Sequence, residues 1–104
     1  MNTRLSLAAL KEAGSCLKTL GHPARLRLLE RLSLGPCTVG ELAEDARLAQ
    51  PAVSGHLRLL ERCGFVASAR EGKWVRYSIA RPHVGALLDL IRQHFDRNPP
   101  RNPA

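Results

Sequence analysis

Residues 38–63 read TVGELAEDARLAQPAVSGHLRLLERC and predict two short helices joined by a tight turn. Thr38 and Glu41 have the spacing of a capping box, so a helix is expected to begin at Thr38 and to bury Leu42. A second helix follows the turn, with Pro51 in its first turn, where the missing N–H costs little. Its apolar residues recur at helical spacing, at Val53, Leu57 and Leu60.

A β-hairpin is expected directly after these helices, from about residue 65 to residue 79. The second strand alternates cleanly, with Val75, Tyr77 and Ile79 on one face and polar side chains mostly on the other. Glu71-Gly72 between the two strands favours a tight turn. Two helices followed by such a hairpin form a winged helix-turn-helix, in which the second helix enters the major groove of DNA.

The rest of the chain predicts three further helices, giving a mostly α fold of five helices and one two-stranded hairpin. Apolar residues at helical spacing predict helices at about residues 5–20 and 82–97, and another begins near Pro23. The whole domain is expected to cover residues 1–97. Residues 98–104 contain three prolines and no apolar run, so they are expected to form a disordered tail.

Composition indicates a polyanionic partner. The chain has 104 residues, enough for one small domain, and its 16 Lys and Arg outnumber 9 Asp and Glu, giving a net charge of +7. No apolar run approaches the roughly 18 residues of a membrane span, so no membrane partner is expected. Three cysteines without close pairing do not suggest a disulfide framework, and the expected compartment is the cytoplasm.

Double-stranded DNA is therefore the expected partner. Polar residues on the outer side of the second helix can reach base edges or phosphates, and basic residues of the hairpin can reach phosphates or the minor groove. The residues expected to contact DNA are Gln50, Ser54, His56, Arg58, Arg62, Arg70, Lys73 and Arg76.

Three segments resemble the ArsR/SmtB family of repressors: LGHPARLRLL at residues 20–29, LAQPAVSGHLRLL at residues 48–60 and REGKWVRY at residues 70–77. The resemblance implies a homodimer built from the first and last helices, bound to an inverted-repeat operator and released by an inducer. Ala49 departs from the family, which usually has a serine cap there. That change costs about 1 kcal/mol of helix capping and one phosphate contact.

The family's known inducer sites are mostly missing here. The family's Cys-Val-Cys motif is replaced here by Thr38-Val39-Gly40. The family also has a cysteine pair on the second and last helices, and Glu30 and Asp96 occupy those neighbourhoods in this chain. The family's metal site on the last helix keeps two candidate ligands, His83 and His94. Its outer ligands are replaced by arginines, which cannot bind a metal, so zinc is the less favoured inducer. The corresponding arginines are Arg81 and Arg97.

The remaining candidates for an inducer site are the thiols of Cys37, Cys16 and Cys63, which could hold arsenite or a soft metal ion. Cys37 precedes a helix N-terminus, so a lowered pKa and a reactive thiolate are expected there. One cysteine cannot hold such a ligand alone, so the expected second thiol is Cys16 or Cys63, from the same chain or from the other subunit. Otherwise these two are expected to be unpaired, small buried hydrophobes.

Two alternatives stay open: a winged-helix module that binds proteins, and a DNA-binding regulator with no metal or thiol inducer. An enzyme is not expected, because no motif links the cysteines and histidines into a nucleophile, a base and an orienting group.

Overall fold

The structure, a computed structural model, describes residues 4–96 and has five helices and three strands in that range. The predicted tail at residues 98–104 and the end of the predicted last helix at residue 97 lie outside the described residues. The elements are α1 (Leu7–Leu20), α2 (Pro23–Leu32), β1 (Cys37–Thr38), α3 (Val39–Ala46), α4 (Gln50–Arg62), β2 (Val66–Glu71), β3 (Trp74–Ile79) and α5 (His83–Phe95).

The predicted two-stranded hairpin is present as β2 and β3, and a third strand that was not predicted, β1, joins it in the sheet. β1 pairs antiparallel with β3, with Cys37 opposite Tyr77 and Thr38 opposite Arg76, and the strand order is β1-β3-β2. The extra strand arises because Thr38, as the residue that caps α3, has extended backbone angles, with φ −79° and ψ 165°. Its peptide groups are therefore free to pair with β3 before the helix begins.

The helix-turn-helix forms as the sequence predicts. The Thr38 side chain accepts a hydrogen bond from the backbone N–H of Glu41 at 3.2 Å, and the Glu41 carboxylate accepts one from the N–H of Thr38 at 2.8 Å. Arg47 ends α3 with a left-handed backbone (φ 58°, ψ 48°). The cap of α4 is Ala49, which provides no side-chain hydrogen bond. α3 therefore begins with a complete cap and α4 without one.

The core lies between α2, α3, α4, α5 and one face of the sheet. Among the described residues, no polar or charged side chain is buried in it. Tyr77 and Ile79 of β3 pack against it from the sheet, as the alternation predicts. The buried aliphatic side chains of the helices include Leu28, Leu29, Leu32, Leu42, Val53, Leu57, Leu60, Val84 and Leu88. One side of α4 is thereby fixed in the core, and its opposite side faces outward.

α1 is the exception among the helices, because it buries only Leu20. Four leucines on or just before α1 are largely exposed: Leu5, Leu7, Leu10 and Leu17. Within a single chain, most of the apolar surface of α1 is therefore left uncovered. None of the helices in residues 4–96 has the length and apolar character needed to span a membrane.

The unequal caps of α3 and α4 generate a stability prediction. Thr38→Ala should lower the free energy of unfolding by about 0.5–2 kcal/mol, because it leaves the N–H of Glu41 without its acceptor. Ala49→Ser should raise that free energy by up to about 1 kcal/mol, because it supplies the missing cap of α4. Urea unfolding of both variants measures the changes. Equal effects of the same sign would contradict this account of the caps.

Candidate nucleic-acid interface

The outer side of α4 carries most of the polar residues predicted to meet DNA. Val53, Leu57 and Leu60 are fully buried, which turns the other side of the helix to solvent. Gln50, Arg58 and Arg62 are exposed there, and Ser54 is half-buried.

His56 is placed differently from the prediction of an exposed position on α4. It is half-buried, and its Nδ1 accepts a hydrogen bond from Nε of Arg25 on α2 at 3.2 Å. Its ring also lies 4.8 Å, between centroids, from the ring of His22. Burial, then the charges of His22 and Arg25, lower the pKa of His56. Sequence spacing within α4 could not reveal this, because both partners come from a distant part of the chain.

The β2–β3 hairpin, here called the wing, carries exposed basic residues near its turn. Gly72 and Lys73 form the two-residue connection, and Gly72 has a φ of 65°, which a glycine adopts without strain. Lys73 and Arg70 are exposed. Trp74, which is not among the residues predicted to contact DNA, is 58% exposed, and the Lys73 ammonium lies 5.8 Å from the centre of its ring. The turn of the wing therefore carries an exposed aromatic ring with the Lys73 ammonium beside it.

Arg76 has acidic partners within the protein. Its guanidinium lies 3.0 Å from the carboxylate of Glu71 and 3.9 Å from that of Glu41. The Glu41 contact links the wing to the first turn of α3. Arg76 is therefore placed to hold the wing against the helix-turn-helix, in addition to any contact with phosphate. Each exposed pair of this kind contributes at most about 1 kcal/mol.

The other basic side chains of α4 and the wing differ from Arg76 in having no acidic partner in the described part of the chain. Within residues 4–96, no ion pair links Arg58, Arg62, Arg70 or Lys73 to an acidic residue. These four basic side chains are exposed and lie on two adjacent elements, α4 and the wing. Such a surface attracts a polyanion.

The lowered pKa predicted for the Cys37 thiol is wrong, because the structure raises that pKa. Cys37 is fully buried in β1. Burial is the largest influence on this thiol and raises its pKa, although Arg31 acts in the opposite direction. Helix α3 begins two residues later, at Val39, and its N–H group at Glu41 already donates to the Thr38 side chain. The sequence located the helix correctly but could not show how deeply the sulfur is buried.

Cys16 and Cys63, expected to be unpaired, are joined as a disulfide. Cys16 lies on α1, Cys63 directly follows α4, and their Cα atoms are 5.7 Å apart. Both residues are half-buried. The 47-residue separation conceals this pair in the sequence, because only the packing of α1 beside α4 brings them together.

The two histidines predicted as weak metal ligands lie at opposite ends of α5. His83 is its first residue and His94 lies in its last turn, where its ring contacts that of Phe95 edge-on. About 16 Å of helix rise separates them, so one ion could contact both only across two chains. No group of three or more His, Cys, Asp or Glu side chains that could hold a metal occurs in the described residues.

Fold and surface together define a winged helix-turn-helix regulator that binds DNA. The profile of the family described as "Bacterial regulatory protein, arsR family" matches residues 22–68. The chain is 40% identical over 92 residues to the transcriptional regulator NmtR of Mycobacterium tuberculosis, covering 88% of this chain and 77% of NmtR. The chain belongs to the ArsR family, and its function is that of a DNA-binding transcriptional repressor.

Two further similarities support this assignment. The probable mercury resistance operon repressor of Streptomyces lividans is 43% identical over 75 residues, which are 72% of this chain and 60% of that protein. The homodimeric winged helix-turn-helix domain of Mb0332 from Mycobacterium bovis has a TM-score of 0.81 and 25% identity, and the match covers 100% of this chain and 98% of that one.

The environment of His56 predicts a pH-dependent stability. The folded protein favours the neutral ring, since its pKa is lowered from an ordinary value near 6.5 and Nδ1 accepts a hydrogen bond from Arg25. The free energy of unfolding should therefore fall as pH drops below about 6.5, until the ring is protonated in the folded state as well. In His56→Gln this part of the pH dependence should be absent, whereas Ser54→Ala on the same helix should retain it. Denaturant unfolding between about pH 7.5 and 5.5 measures the slope; a wild-type slope in His56→Gln would refute the assignment.

Proposed function

We propose that the protein acts in the cytoplasm as a homodimeric repressor, with α4 of each chain in the major groove of an inverted-repeat operator. The observation that carries the proposal is the outward, polar and basic side of α4 beside a basic wing. A major groove about 12 Å wide admits one helix, and a dimer would place two α4 helices one helical turn, about 34 Å, apart. The family's role in regulation favours this function over that of an enzyme.

The residues divide by the kind of contact they can make. Gln50, Ser54 and Arg58 lie on the outward side of α4, where side chains can hydrogen-bond to base edges. Arg62 at the end of α4, and Arg70 and Lys73 on the wing, are suited to phosphates. Trp74 adds a flat apolar surface at the tip of the wing. His56 has a supporting role, because it already accepts a hydrogen bond from Arg25.

The dimer contact is proposed for α1 and α5. These helices expose apolar side chains that the single chain does not cover, at Leu7, Leu10, Leu17, Leu90 and Phe95. A contiguous apolar surface on a small protein marks an interaction site. The similar Mb0332 domain is described as homodimeric, which supports a second copy of this chain as the occupant. The domain boundaries predicted from the sequence, with dimerisation helices at the two ends of residues 1–97, are part of this proposal.

The inducer is proposed to be a thiophilic or oxidising species. Burial of Cys37 weakens the case for arsenite or a soft metal at that thiol, and the Cys16–Cys63 pair becomes the better candidate. The mercury resistance operon repressor is similar to this chain, which supports a thiophilic signal. Zinc at His83 and His94 needs ligands from two chains and is the weaker candidate.

A first prediction separates base reading from phosphate contact. Arg58→Ala should weaken operator binding more than binding to random DNA, because a base-edge contact contributes about 1–3 kcal/mol of discrimination. Lys73→Ala should weaken binding to both DNAs alike. The slope of log affinity against log salt concentration should fall by about one, as expected for the loss of one phosphate contact. Fluorescence anisotropy with the operator and a scrambled duplex, over a series of salt concentrations, measures both effects. Loss of discrimination in Lys73→Ala but not in Arg58→Ala would show that the two roles are reversed.

A second prediction tests the dimer contact. Leu17→Lys should shift the protein from dimer to monomer, because it places a charge in the apolar surface of α1, where Leu17 is 61% exposed in the single chain. Leu34→Lys is the matched control, since Leu34 is 80% exposed in the loop after α2 and lies outside the proposed contact. Sedimentation velocity at micromolar concentration gives the oligomeric state. A monomeric wild type, or dissociation by Leu34→Lys alone, would count against the proposed contact.

A further inference from the structure

We propose that Cys16 and Cys63 form a reversible dithiol–disulfide switch that links the redox state of the protein to the position of its DNA-binding helix. The two Cα atoms are 5.7 Å apart, within the range a disulfide spans without backbone movement. Both residues are half-buried, so a small oxidant can reach them. Cys37 is fully buried and has no cysteine partner in the described structure. The pair therefore differs from Cys37 in both access and geometry.

The position of the pair couples two functional surfaces. Cys63 immediately follows the last turn of α4, the helix proposed to enter the major groove. Cys16 lies on α1, whose exposed leucines are proposed to contact the second chain. A bond between them ties the C-terminal end of the DNA-binding helix directly to the proposed dimer contact. Because the operator fixes the distance between the two α4 helices, a change at this link affects how well both fit the DNA.

A chain of polar contacts extends from the pair to the middle of α4. The Thr19 hydroxyl lies 3.8 Å from the Cys63 sulfur, and the Thr19 carbonyl accepts a hydrogen bond from Arg25 at 2.9 Å. Arg25 in turn donates to His56 on α4. Thr19 is one turn beyond Cys16 on α1, so movement of α1 relative to Cys63 also moves the carbonyl that holds Arg25. Oxidation or reduction of the pair should therefore change the contact between Arg25 and His56.

The chemistry requires a two-electron oxidant, for which we name a peroxide. The Cys16 and Cys63 thiols together lose two electrons and two protons as the S–S bond forms. The peroxide O–O bond breaks, and hydrogen peroxide leaves as two molecules of water. A dithiol reductant reverses the step by thiol–disulfide exchange and becomes a disulfide itself. The direction of the response rests on the proposed function: a repressor released by its signal binds DNA when reduced and leaves it when oxidised.

The first test follows the bond and DNA binding separately. Reduced and peroxide-treated protein are alkylated under denaturing conditions and weighed by mass spectrometry. The wild type should show three reactive thiols when reduced and one when oxidised, because only Cys37 then remains free. Operator affinity, measured by fluorescence anisotropy, should fall about fivefold or more on oxidation, which is the lower end of the usual range of allosteric coupling.

Cys16→Ser and Cys63→Ser should lose this response, whereas the matched control Cys37→Ala should retain it. The melting temperature of each variant confirms that it is folded.

A second readout needs no DNA. The His56 imidazole signal in the NMR spectrum should shift on oxidation of the wild type and remain unchanged in Cys16→Ser. If the reduced protein fails to bind any operator, the proposed function fails, and the mass and NMR measurements still decide the switch. Three free thiols after peroxide treatment, or a disulfide that leaves the His56 signal and operator affinity unchanged, would overturn the switch. Tighter operator binding after oxidation would overturn the direction proposed here.

Discussion

The burial of one side of α4 is the constraint on which the rest of the structure depends. Val53, Leu57 and Leu60 fill the core from this helix and fix its rotation about its own axis. A rotation of one residue, about 100°, would bring polar side chains into the core and remove Arg58 from the surface. The same apolar spacing that stabilises the domain therefore determines which residues of α4 can meet DNA. In the proposed function, stability and DNA binding therefore depend on opposite sides of one helix.

The wing depends on that core through its own alternation. Tyr77 and Ile79 face the core, while Arg76 on the other face contacts Glu71 and Glu41. β1 adds a third strand on the side of β3 away from β2, so β3 is paired along both edges near the domain. The base of the wing is held by packing and pairing, and its turn projects beyond them. Arg70 and Lys73 lie near that turn, exposed and outside the packed core.

The sequence predicted the features that depend on local chemistry. The capping box at Thr38, the apolar side of α4 and the hairpin turn at Gly72 all involve residues a few positions apart, and each is present. The third strand, the half-buried position of His56 and the Cys16–Cys63 pair were not predicted. Each of these depends on two segments that pack together from distant parts of the chain, for which spacing gives no signal. The lowered pKa expected for Cys37 was wrong for the same reason, since local helix polarity was visible in the sequence and burial was not.

α1 shows how the weaker parts of this fold depend on interactions outside its core. With only Leu20 buried, α1 gains little from the apolar packing that holds α2, α3 and α4. Its position against α4 relies on the covalent link at Cys16, on the Arg25 hydrogen bond to the Thr19 carbonyl and on whatever covers its exposed leucines. An element held by a few specific contacts can move at a small cost in free energy, whereas a packed core resists such movement. A signal acting at α1 can therefore shift α1, and with it the placement of one chain's α4 relative to that of a second copy in the proposed dimer, without disturbing the packed core.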